Sequence, residues 1–263
     1  MSTAKVKFSG ILQEETVKID NENGKIEVRG QVVSLQELTL DAPVSGTIYG
    51  TLLNYKGAME VLGDAVNNDP YKAPPKAPIL YIKTANTVIG YGAPIPMPTG
   101  MEQIEVGAAL GVVIGKKATR VSKAEALEYV AGYTVVNDVS VHHSSVYRPA
   151  ISQKCRDGFC PVGPWVIESG AVQNPDSLDV RVYINGELRQ ENTTANLIRS
   201  VSQLIADVTD FMTLNQGDVL LVGVPENAPL AKVGDQIRIE ISEVGILENT
   251  IVHENELIIG GAK

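Results

Sequence analysis

The residues best placed for chemistry lie between Asn137 and Trp165. Asn137-Asp138-Val139-Ser140 is followed by Lys154-Cys155-Arg156-Asp157-Gly158-Phe159-Cys160-Pro161-Val162-Gly163-Pro164-Trp165. Carboxylates and ammonium groups are costly to remove from water unless they face one another. A mostly apolar segment that carries Asp138, Lys154 and Asp157 is therefore a candidate functional site. Asp138 has the chemistry of a proton shuttle. Lys154, with Arg148 or Arg156, has that of a cation facing developing negative charge. Tyr147 and Arg148 precede Pro149 and could hold a substrate carboxylate, for which the two-pronged guanidinium suits best. His142 and His143 lie just past the end of the strand that carries Asp138, as an anion contact or proton donor in a pocket or as a surface loop pair. Plainer readings stand beside these: Asp138 capping a turn or pairing structurally with Lys154, and Asp157 forming a turn before Gly158.

These groups need elements to position them. Tyr133 to Ser140 reads as a strand leading into the site, and Val106 to Ile114 as a buried strand. Ser122-Lys123-Ala124-Glu125 has the capping-box pattern and predicts a helix running to about Ala131. Ile48 to Tyr55 reads as a strand and 57–68 as a short helix. Pro70, Pro74, Pro75, Pro78, Pro94, Pro96 and Pro98 favour extended loops and edge strands. Thr16–Ile19 and Lys25–Val28 alternate about Asn23-Gly24 as a hairpin, and Val180–Ile184 leads into Asn185-Gly186 as another. After Thr193-Thr194 the spacing of Leu197, Ile198, Val201, Leu204, Ile205, Val208, Phe211 and Met212 predicts an amphipathic helix. Alternating Ile237, Ile239 and Ile241 close the chain as strands. The expected organisation is a small β unit over 1–43 and a larger domain over 44–263.

Composition narrows the function. The chain has 263 residues, 44% of them hydrophobic, and a formal net charge of -9. That charge argues against a nucleic-acid partner, which needs clustered Lys and Arg. The longest apolar runs are too short to span a bilayer, and the amino terminus lacks an apolar signal core, so a cytoplasmic location is expected. Cys155 and Cys160 are the only cysteines. Reduced thiols are the expected state; a zinc site with His142 and His143 is the less favoured alternative.

Several motifs together resemble the fumarylacetoacetate hydrolase family: Asn137-Asp138-Val139-Ser140, Lys154 with Asp157, Phe159-Cys160-Pro161, Gly163-Pro164-Trp165, Asn185-Gly186-Glu187, Leu214-Asn215-Gln216-Gly217-Asp218 and Gly234-Asp235. They keep order and spacing over about residues 45 to 252. More narrowly, Tyr71-Lys72-Ala73-Pro74-Pro75-Lys76, Asn86-Thr87-Val88-Ile89-Gly90 and Tyr147-Arg148-Pro149-Ala150-Ile151 resemble the amino-terminal half of isomerase/decarboxylases of aromatic (4-hydroxyphenylacetate or homoprotocatechuate) degradation. The resemblance implies a mainly β fold with a few helices (α+β), a mixed β-roll. It also implies decarboxylase or isomerase (lyase) activity on 2-oxo or 2-hydroxydienoic dicarboxylic or tricarboxylic acids, in homodimers or higher oligomers.

The resemblance further implies a divalent ion, Mg or Mn, held by a Glu-x-Glu pair and by the residue matching Asp138. Aligned back from Val112-Val113-Ile114-Gly115-Lys116, that pair falls on Gly107 and Ala109, which leaves Asp138 as the one expected protein ligand. Glu105 lies on the same strand face, about 7 Å further along at about 3.3 Å per residue. The family's arginine after Asn-Asp-x-Ser falls on His142, its histidine after Asn-Tyr on Ala58, and its Gly-Thr-Pro on Gly223-Val224-Pro225. Asp138, Lys154 and His142 are the expected catalytic residues, and Tyr147, Arg148, Arg156 and Asp157 the expected substrate contacts. The alternative is a weak or inactive subunit paired in a hetero-oligomer with a metal-bearing paralogue.

Overall fold

The computed structural model describes residues 1–21, 23–69, 72–143 and 150–260. The amino-terminal strands are β1 (Ser2–Phe8), β2 (Glu15–Asp20), β3 (Lys25–Val28), β4 (Gln31–Ser34) and β5 (Leu40–Asp41). Next come β6 (Ile48–Leu52), helix α1 (Lys56–Leu62), β7 (Ile79–Lys83), β8 (Val88–Ile89), β9 (Ile95–Met97) and β10 (Ile104–Glu105). The centre of the fold is β11 (Ala108–Ile114), β12 (Val130–Asn137), the short helix α2 (Ile151–Lys154) and β13 (Cys160–Glu168). After these run β14 (Asp179–Ile184), β15 (Glu187–Thr193), α3 (Val201–Phe211), β16 (Val219–Leu221), β17 (Leu230–Ala231), β18 (Gln236–Ile241), β19 (Gly245–His253) and α4 (Glu254–Gly260).

The strands form a 12-stranded sheet with the main path β4-β3-β2-β1-β13-β12-β11-β16-β6-β7, and a 5-stranded sheet ordered β15-β14-β18-β19-β9. The expected hairpins are present, β2 with β3 and β14 with β15. Strand β1 runs antiparallel to β13 through Ala4↔Ile167 and Lys5↔Val166, so the amino-terminal strands extend the large sheet. All seven residues of β11 are buried, as an apolar strand covered on both faces must be. One face, with Leu110, Val112, Val135, Trp165 and Ile167, packs on Ile237, Ile239, Ile241 and Leu247 of the smaller sheet. The other, with Ala109, Val113, Val136, Cys160, Val162, Leu221 and Ile48, makes a second, smaller core.

That second face is the inside of a curl. Four strand spacings separate β12 from β7, roughly 19 Å in a flat sheet at about 4.8 Å each. Yet Lys83 at the end of β7 touches Asp138 and Val139 just past β12. The sheet therefore rolls until its last strand meets the segment after β12. Small residues on the concave side allow the closure: Tyr81 pairs with Gly50 across the β6–β7 ladder, and its ring lies in the space a β-carbon at Gly50 would fill.

Two expected helices differ in the structure. Ser122 Oγ does donate to Glu125 at 2.6 Å, but the chain makes only a 3₁₀ turn over Ala126–Tyr129 before entering β12. Pairing of Val130 with Ile114 draws the segment into the sheet, so tertiary pairing overrides the local signal. The later helix begins at Val201 behind an Ser200 N-cap, leaving Leu197 and Ile198 outside it. Its stripe is also narrower than expected: Leu204, Ile205 and Val208 are buried, whereas Phe211 is 64% exposed.

Candidate active site

Asp138 is the hub of the site. Its backbone N–H donates to Gly107 O at 2.7 Å, carrying the ladder one residue beyond β12, and its carboxylate points into the concave core with no exposed surface. Three side chains meet it. Lys154 Nζ donates to Oδ2 at 2.7 Å, the Tyr81 hydroxyl donates to the same oxygen, and Lys83 Nζ lies 3.0 Å from Oδ1. Burial alone would raise the pKa of this carboxyl. The two ammonium groups and the two hydrogen bonds more than offset that and hold it well below the usual carboxylate range. Burial and the Asp138 charge push the Tyr81 phenol upward, so it stays protonated and donates.

The two lysines differ in role. Lys83 has a fully buried side chain and donates to Val139 O at 3.1 Å and Lys154 O at 2.7 Å, so three oxygens surround its ammonium. Lys154, on α2, retains 9% side-chain exposure and lies over the Tyr81 ring, 4.7 Å from its centroid. Of the two, Lys154 is the less deeply buried. An ionised acid touching two ammonium groups and a phenol can hold a proton donor in place and present positive charge to an oxyanion.

The expected site residues fall into separate groups. Asp138 and Lys154 come together. The ring of His142, largely exposed, contacts Glu105 through Nδ1 at 2.5 Å. Arg156 donates from Nε to Ser152 O at 2.8 Å, and exposed Asp157 accepts from Asn86 Nδ2 at 2.6 Å. Tyr147 and Arg148 lie outside the described residues, as do Pro70 and Tyr71. Both cysteines are free thiols, and burial raises the Cys160 thiol to about 12. Sequence reasoning missed Lys83 and Tyr81. Their signal was the two-residue spacing of Tyr81 and Lys83, which in a strand puts both on one face.

The expected divalent ion does not suit the residues present. Gly107 and Ala109 offer no side-chain ligand atoms, and Glu105 is engaged with His142. A β-carbon at Gly107 would lie 2.4 Å from Asp138 O and 3.1 Å from Val224 Cγ2, so the backbone leaves no room for a larger side chain. Both Asp138 oxygens already face protein cations or donors. Among the described residues no three His, Cys, Asp or Glu side chains gather as a metal site.

Comparisons with known proteins agree with this architecture. The family profile for fumarylacetoacetate (FAA) hydrolase C-terminal matches residues 47–252. A 4-hydroxyphenylacetate degradation bifunctional isomerase/decarboxylase of Escherichia coli is 42% identical over 214 residues, 81% of this chain but 49% of that protein. The chain thus spans about half the length of that relative. Oxaloacetate tautomerase YisK of Bacillus subtilis is 31% identical over 237 residues, 86% of this chain and 77% of that protein. The solved structure of a 5-carboxymethyl-2-hydroxymuconate delta-isomerase from Mycobacterium smegmatis superposes with a TM-score of 0.78 at 25% identity, covering 97% of this chain and 100% of that one. On the profile match and the shared mainly β fold, this chain belongs to the fumarylacetoacetate hydrolase family.

Proposed function

We propose that this chain is an enzyme acting on 2-oxo or 2-hydroxydienoic dicarboxylic or tricarboxylic acids of aromatic degradation, expelling CO₂ or shifting a double bond. One observation carries the reading: Lys154, the more accessible ammonium, is held against buried Asp138 beside the Tyr81 phenol. Decarboxylation next to a carbonyl and migration of a dienol double bond both pass through an enolate. So does the keto–enol exchange named by the YisK relative. In this reading Lys154 faces the enolate oxygen, where fixed positive charge lowers the barrier. Asp138 holds Lys154 in place through their ion pair, and Tyr81 fixes the carboxylate. Substrate carboxylates fall to Arg148 and Tyr147, with Arg156 as a further cation. The ligand is a small organic acid, and the working form is a homodimer or higher oligomer in the cytoplasm. Among the described residues no helix is long and apolar enough to cross a membrane.

The test is ultraviolet turnover of a 2-hydroxydienoic dicarboxylate and of a 2-oxo tricarboxylate by the purified chain and its Lys154→Met variant. Turnover of either by the unaltered chain, lost in the variant, supports the reading. No turnover of any such acid rejects it. A second reading, a structural subunit for a metal-bearing family member, is favoured specifically by Gly107 and Ala109 at the family's glutamate positions. It predicts a stable complex when the two chains are expressed together.

A further inference from the structure

We propose that Lys83 and Tyr81 replace the divalent ion and its acidic ligands, so that the site carries its own cation and takes its organic acid without a metal. The taking of an organic acid rests on the function proposed above; the exclusion of metal does not. Lys83 Nζ sits among Asp138 Oδ1 at 3.0 Å, Val139 O at 3.1 Å and Lys154 O at 2.7 Å, all oxygens. One carboxylate and two carbonyls are the donors a hard cation takes. Here an ammonium on a fully buried stem fills their centre. Tyr81 fills the neighbouring space. Its ring lies over Gly50, where a β-carbon would come within 2.0 Å of Cζ, and its hydroxyl takes the second Asp138 oxygen. The close approach of Gly107 to Asp138 O shuts out a side chain where a family ligand would project. The three features form one set: carboxylates are missing, the backbone has closed over their place, and a lysine supplies the charge.

The experiment uses the chelator-treated purified chain and Mn²⁺ as the probe, with bound ion read by electron paramagnetic resonance and stability by thermal melting. The unaltered chain is expected to bind no Mn²⁺ below about 1 mM and to keep its Tm. Lys83→Ala vacates the oxygen cradle. Its Tm is expected to fall, then to recover by about 3–5 °C in 10 mM Mn²⁺ or in ethylammonium, as mass action on a newly opened site requires. If Lys83→Ala does not fold, Lys83→Gln is titrated in its place with the same expectation for Mn²⁺. Stoichiometric Mn²⁺ binding by the unaltered chain overturns the proposal, as does a folded Lys83 variant indifferent to both cations. Neither readout requires turnover, so failure here is distinct from failure of the proposed reaction.

Discussion

Gly107→Ala isolates the steric part of the account. The added β-carbon would lie 2.4 Å from Asp138 O and 3.1 Å from Asp138 C, both backbone atoms that cannot swing aside. Strand β11 must therefore move from the segment after β12 by most of an ångström. That movement strains two buried hydrogen bonds, Asp138 N–H to Gly107 O at 2.7 Å and Gly107 N–H to Asn137 Oδ1 at 3.0 Å. Overpacking of this kind costs about 1–3 kcal/mol. A buried polar group left poorly matched adds about 1–3 kcal/mol. Alanine's smaller unfolded-state freedom returns about 0.5 kcal/mol. The net expectation is a loss of about 3 kcal/mol, which for a chain of this size lowers Tm by roughly 6–12 °C. Urea unfolding followed by circular dichroism gives the figure directly. A loss under about 1 kcal/mol would show that β11 and β12 separate freely there, and the argument that the backbone excludes the family's ligand would fall.

Further outcomes follow from the same geometry. Tyr81→Phe removes a donor from a buried carboxylate oxygen that Lys154 still serves, and is expected to cost about 1–2 kcal/mol in urea unfolding. Lys154→Met is expected to lower kcat by about 10²- to 10³-fold through loss of oxyanion stabilisation, with steady-state kinetics as the check. Because the Asp138 pKa is depressed in the folded state, its contribution is fully present above the ordinary carboxylate range. That contribution is lost as pH falls below about 4, so unfolding free energy should decline there, and less steeply in Asp138→Asn. Cys160, buried with its thiol raised to about 12, should resist an alkylating reagent at pH 8 in the native chain and react once unfolded, as peptide mass mapping would show.

Much of the fold was legible because alternation and turn residues act locally. The hairpins at Asn23-Gly24 and Asn185-Gly186 and the buried run Ala108–Ile114 all depend on near neighbours. The Ser122 capping box misled because cross-strand pairing at Val130 outweighed a local cap worth only about 1 kcal/mol. Asp138 and Lys154 were legible as a pair because they lie only 16 positions apart in the chain. Lys83 and Tyr81 were not, since their meeting with Asp138 depends on the curl of a sheet whose intervening strands come from distant parts of the chain. The small residues Gly50 and Gly107 were the trace of that curl in the sequence, though nothing local says what fills the space beside them.

The most direct test of the central claim is turnover of a 2-hydroxydienoic dicarboxylate by the purified chain, followed in the ultraviolet with excess chelator and again with added Mg²⁺ or Mn²⁺. Equal rates are expected in all conditions, with charge stabilisation residing in Lys154 beside Asp138. Turnover that chelator abolishes and Mn²⁺ restores would overturn the assignment of that charge to Lys154.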